Sequence, residues 1–112
     1  MSRDYKVYLE DVLEAIRKAR EYTAGMESKA FADDVKTVDA VVRNLEIIGE
    51  AIKKLPENIR VKYPTVDWKK IGGLRDILIH EYFGVDTEII WDIVQNKLPV
   101  LEKQIKQILA EQ

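Results

Sequence analysis

The residues best suited to chemistry lie in one short run, Arg75-Asp76-Ile77-Leu78-Ile79-His80-Glu81-Tyr82. His80 is the only histidine of the chain. Its place near the end of an expected helix favours the imidazolium, because the C-terminal end of the helix dipole is negative. Asp76, four residues earlier, shares its face and can orient the ring through one nitrogen, leaving the other for proton transfer. That is an acid/base layout, although a half-exposed histidine with an acidic neighbour has the same spacing. Arg75 lies five positions before His80, so at about 100° per residue the two side chains diverge by roughly 140° on a regular helix. Arg75 and Tyr82, seven apart, fall on nearly one line. A pocket ringed by Arg75, His80 and Tyr82 therefore needs a second surface to close it. Taken singly, Arg75 reads as a solvated arginine and Tyr82 as a core-edge aromatic.

Around this run the chain supplies helices. Tyr5, Tyr8, Leu9, Val12, Leu13, Ile16, Ala19 and Thr23 recur at steps of three and four, with Asp4 or Ser2 as the cap and Gly25 just beyond the end. A second stripe, Val35, Val38, Val41, Val42, Leu45, Ile48, Ile52 and Leu55, follows the acidic pair Asp33-Asp34 and ends at Pro56. Glu57 to Lys62 predicts one short helical turn before Tyr63-Pro64. Asp67 caps a further helix through Trp68, Ile71, Leu74, Leu78 and Tyr82, with Gly84 as its stop. The last helix opens at Asp86, with Glu88 in its first turn, and carries Ile90, Val94, Leu98, Leu101, Ile105 and Ile108; Pro99 is expected to kink it. No period-two alternation, hairpin signal, internal repeat or low-complexity linker interrupts this pattern. The expected fold is all-α: a single domain over residues 1–112, an antiparallel bundle of four long helices plus a short helical turn. The apolar stripes are broad enough to serve both a core and a partner, which points to a homodimer.

Composition limits the function. With 112 residues, 46% hydrophobic and 34% charged, the chain suits one compact folded unit. No apolar run is long enough for a membrane span and the N-terminus has no apolar signal region, so a cytoplasmic protein is expected. The absence of cysteine excludes disulfides, thiolate zinc sites and a cysteine nucleophile, and a single histidine excludes a multi-histidine metal site. A net charge of −2 and a pI near 5.5 argue against binding nucleic acid by bulk electrostatics. Any such contact must come from a local patch or one shared in an assembly. Lys53, Lys54, Arg60, Lys62, Lys69 and Lys70 are the one group of cations that could form it, with acidic residues interleaved. Arg43, Glu46 and Glu50 share one side of the second helix, a face that is most often merely solvated, though Gly49 points to close packing. Gly72-Gly73 inside a helix costs roughly 1 kcal/mol per residue, which leaves tight packing or room for a phosphate or base beside Arg75 as the reason for it.

Several of these segments, taken in order, resemble one family. Arg43-Asn44-Leu45-Glu46-Ile47-Ile48-Gly49-Glu50-Ala51, Tyr63-Pro64 followed by Trp68, Gly73-Leu74-Arg75-Asp76, His80-Glu81-Tyr82-Phe83, and Trp91 through Leu98-Pro99 resemble the HEPN superfamily, specifically its HepT-like ribonuclease toxins. The resemblance covers nearly the whole chain. It implies an all-α dimer whose active site forms where two Arg-x4-His motifs face each other, with metal-independent RNA cleavage, Arg75 and His80 as catalytic residues, and no cofactor. Asp76 fills the polar position after the arginine and supports the pair. Tyr82 matches the tyrosine that a partner minimal nucleotidyltransferase, the antitoxin, modifies with AMP. RNA is the implied substrate, with Arg43, Lys69 and Lys70 as candidate contacts, and no DNA is expected. The alternative is a non-catalytic HEPN module that binds a nucleotide or assists a nucleotidyltransferase, using the same arginine to hold phosphate.

Overall fold

In the computed structural model, residues 4–74, 76, 78 and 86–112 are described. Helix α1 spans Tyr5–Thr23 and begins where the Asp4 carboxylate accepts a hydrogen bond from the Lys6 N–H at 3.0 Å. Leu9, Val12, Ala15, Ile16 and Ala19 form its buried stripe. Thr23 continues that stripe by donating its hydroxyl to the Ala19 carbonyl at 3.0 Å. Gly25 adopts φ +78°, the left-handed conformation in which glycine carries no Cβ penalty, and turns the chain.

A short helix, α2 (Ser28–Asp33), is an addition to the elements that periodicity predicts. Six residues offer one inward anchor, Phe31, which is fully buried and meets the Trp91 ring at 5.3 Å between centroids. One anchor is too little for a stripe. Helix α3 (Val35–Lys53) starts at Asp34, whose carboxylate accepts from the Thr37 N–H at 3.1 Å and the Thr37 hydroxyl at 2.8 Å. Those bonds, the hydroxyl first, hold the Asp34 carboxyl below its ordinary range. Val38, Val41, Leu45, Ile48 and Ile52 face inward, and the buried Asn44 is satisfied by donating to the Ala40 carbonyl at 2.9 Å.

Pro56 opens α4 (Glu57–Lys62), which buries Ile59 and ends before Pro64. Asp67 caps α5 (Trp68–Gly72) by accepting from the Lys70 N–H at 3.2 Å, while the Trp68 indole N–H donates to the Tyr63 carbonyl at 2.9 Å and ties α4 to α5. Beyond Gly73 the described positions Leu74, Asp76 and Leu78 are helical. The expected end of this helix at Tyr82 and Gly84 lies outside the described residues.

Asp86 caps α6 (Thr87–Asp92) by accepting from the Glu88 and Ile89 N–H groups. Just before Pro99 the helix widens into a π-helical turn over Ile93–Lys97, where the Leu98 N–H reaches back five residues to the Ile93 carbonyl. Helix α7 (Leu98–Ala110) then continues, with Pro99 in its first turn, where its missing N–H is least missed.

One hydrophobic core joins these pieces. Helix α1 packs chiefly on α3, with α7 against α1 and α5 against α3, and Trp68, Leu78, Ile90, Val94, Leu98 and Ile105 complete the cluster. Each large aliphatic side chain so buried contributes about 1.5–3 kcal/mol relative to exposure. The molecule is an all-α bundle; no strand occurs among the described residues, and none of their helices is long and apolar enough to cross a membrane.

Candidate functional site

Three apolar anchors fix the segment that carries the sequence motif. Trp68, Leu74 and Leu78 are buried, whereas Asp76 is exposed. The helix thus presents one face to the core and Asp76 to solvent, as the apolar spacing predicts. Arg75, His80 and Tyr82 lie outside the described residues, as do Glu81 and Phe83.

Gly72 is buried against α3: a Cβ added there would sit 3.5 Å from Lys53 Cγ and 3.8 Å from Ile52 Cγ2. At Gly73 the nearest atoms would be the Lys69 and Lys70 carbonyl oxygens, at 3.4 and 3.5 Å. At Gly72 these are ordinary van der Waals distances, and neither glycine has a positive φ. Among the described residues, packing therefore leaves space for a methyl group at Gly72.

The polar side of α3 is more than a solvated face. Arg43, Glu46 and Glu50 line a cleft of about 370 Å³ together with Lys54 and, from α1, Tyr8 and Asp11. The Lys54 ammonium stands 5.9 Å from the centre of the Tyr8 ring. Among the described residues three carboxylates and two cations line it, a mixed-charge cleft suited to recognising hydrogen-bonding groups of both kinds. Tyr8 is a member of the α1 apolar stripe in sequence, and Asp11 carries no signal of its own; only the packing of α1 on α3 joins them to Arg43.

Of the candidate RNA contacts, Arg43 lies apart from Lys69 and Lys70, which are neighbours on α5. Arg43 belongs to the α1/α3 cleft, Lys69 lines a groove between α4 and α5, and Lys70 lines a third recess beside Ile71 and Leu74. Lys69 and Lys70 are both exposed.

Comparison with known proteins agrees with the family resemblance. The family model described as Ribonuclease HepT-like matches residues 12–108. The chain is 48% identical over 109 residues, 97% of its length and 90% of the relative's, to the Methanocaldococcus jannaschii protein named "Putative RNase MJ0127". It is 47% identical to "Putative RNase TTE0752" of Caldanaerobacter subterraneus, over 94% of each chain. To "Probable ribonuclease HepT" of Thermococcus cleftensis it is 41% identical, over 96% of this chain and 98% of that one. No solved structure matches it. On the match over residues 12–108 and on these full-length relatives, the chain belongs to the HepT-like ribonuclease family.

Proposed function

We propose that this chain is a metal-independent endoribonuclease, the toxin of a toxin–antitoxin pair, acting in the cytoplasm as a homodimer of one-domain protomers with Arg75 and His80 as its catalytic residues. The observation that carries the reading is the ordered motif Arg75, His80, Tyr82 in a chain of the HepT-like family. The burial of Leu74 and Leu78 with Asp76 exposed supports it, because a helix anchored on one face can hold polar groups towards a second surface.

The chemistry explains why two copies are needed. Cleaving RNA without a metal requires a base, an acid and a cation. One imidazole removes the 2′-hydroxyl proton, and the 2′-oxygen attacks the adjacent phosphorus. Arg75 balances the charge on the phosphorane, and a second imidazole, in its protonated form, gives its proton to the departing 5′-oxygen. The products are a 2′,3′-cyclic phosphate and a 5′-hydroxyl. One chain has one histidine, whereas a two-fold dimer brings two histidines and two arginines to one cleft. Asp76 orients the imidazole. The antitoxin, a minimal nucleotidyltransferase, joins the Tyr82 oxygen to the α-phosphorus of ATP, releasing pyrophosphate and silencing the site with AMP.

End-mapping of RNA cleaved in excess EDTA tests the chemistry. Cyclic phosphate termini are expected, and cleavage abolished by the chelator would contradict it. Incubation with ATP and the nucleotidyltransferase should add one AMP to the chain and none to Tyr82→Phe; equal labelling of that variant would remove Tyr82 from the account.

A further inference from the structure

Six cations, Lys53, Lys54, Arg60, Lys62, Lys69 and Lys70, fall between residues 53 and 70 with only two carboxylates, Glu57 and Asp67, in a chain of net charge −2. The remainder of the molecule is accordingly acidic. Elsewhere some cations are neutralised locally: Arg17 pairs with Glu14 and Glu21, Arg20 with Glu102, Lys29 with Asp33, and Lys106 with Glu102. None of the six takes part in an ion pair among the described residues.

Two of them, Arg60 and Lys69, line the groove between α4 and α5, a broad opening of about 800 Å³. Lys62 and Lys70 stand exposed on the same two helices. The two carboxylates of the groove offset these cations only in part. Asp67 is committed to the Lys70 N–H as the α5 cap, and Glu57 sits in the first turn of α4, where the helix dipole balances an anion. Arg60 adds an independent sign: its Nε is buried without a hydrogen-bond partner among the described residues, a donor whose desolvation is unrepaid until an acceptor arrives. The groove is open to solvent along its rim rather than enclosed.

We infer that the α4/α5 groove, lined by Arg60 and Lys69 and flanked by the exposed Lys62 and Lys70, is a docking track for the phosphate backbone of RNA. The ligand class rests on the ribonuclease reading; the location rests on the groove and its unpaired cations. Arg43 is not part of this track, because it lines a separate cleft between α1 and α3. Docking here holds the strand by phosphate contacts that carry no sequence information and leaves the choice of cleaved bond to the catalytic centre.

Binding of a fully 2′-O-methylated single strand of about 30 nucleotides, followed by fluorescence anisotropy across a salt series, tests the assignment. Such a strand has no 2′-hydroxyl to attack, so the result stands apart from whether the chain cleaves RNA. The variant Lys62→Gln/Lys69→Gln/Lys70→Gln alters only exposed side chains and should keep the helical circular dichroism of the parent. It is expected to bind roughly tenfold more weakly, with the slope of log affinity against log salt reduced by about 2. Arg60→Gln should weaken binding as well, and should it fail to fold, the triple variant still decides. Unchanged affinity and slope in the triple variant would overturn the track, as would a parent that binds no strand. Poly-glutamate is the probe for an acidic protein partner: binding as tight as that of RNA and lost in the same variant would reassign the groove.

Discussion

Helices α1 and α7 place Arg17, Arg20 and Lys106 in ion pairs with Glu14, Glu21 and Glu102 and leave Lys6, Lys18 and Lys103 outside such pairs, whereas α4 and α5 place none of their cations in an ion pair among the described residues. Burial divides the molecule in the same way. Helix α1 buries five apolar side chains and Thr23, while α4 buries Ile59 alone and α5 buries Trp68 and Gly72. The long helices therefore hold the fold, and the short pair contributes little core while displaying charge. A protein that needs a polyanion at its surface can keep cations unpaired only where the fold does not depend on them, and α4 and α5 meet that condition.

The largest effect that separates the two regions should come from the core. Leu45, fully buried on α3, should lose about 2–5 kcal/mol of stability as Leu45→Ala, whereas Val61→Ala on the exposed face of α4 should stay within about 0.5 kcal/mol. Denaturant titration measures both, and similar losses would erase the contrast. The Arg20–Glu102 pair, 3.0 Å long and half-exposed, ties α1 to α7; a double-mutant cycle should give a coupling of at most about 1 kcal/mol. A much larger value would make ion pairing rather than burial the basis of the long-helix region.

Gly72→Ala is expected to raise stability by about 0.5 kcal/mol, since the backbone is compatible and a Cβ would meet only ordinary contacts among the described residues. A rise in stability together with weaker RNA cleavage would show that the glycine serves the site; a loss of stability would show that α3 and α5 cannot accept the methyl. The smallest effect concerns acid. The Asp34 carboxyl is held below its ordinary range by Thr37, so its folded value lies under its unfolded one. Its contribution is therefore present above the ordinary carboxylate range and fades as pH falls through the folded value. Melting curves of the parent and Asp34→Ala should converge in acid. A gap that remained constant would contradict the linkage.

Much of the fold was legible because it rests on local signals. Asp4, Asp34, Asp67 and Asp86 cap the helices at whose starts they stand, and the apolar stripes face the core. Helix α2 was not legible, because a single anchor, Phe31, gives no period. The π-helical turn was read only as a kink, since a proline signals a conflict with the preceding carbonyl without saying how the backbone relieves it. The cleft was half legible: Arg43, Glu46 and Glu50 share a face by spacing, but Tyr8 and Asp11 join them only through the packing of α1 on α3. For Arg75 and His80, spacing alone gave divergence on one helix. Their joint role comes from the family pattern and stands as the proposal above, with both residues outside the described ones.

The most direct test is cleavage of RNA by purified parent and His80→Ala proteins at matched concentration, with helical content and melting temperature measured alongside. The account predicts that the parent cuts RNA in the presence of EDTA and that His80→Ala loses cutting at least a hundredfold while keeping its fold, the scale expected for removing an acid/base group. Parent-like cutting by folded His80→Ala would contradict it.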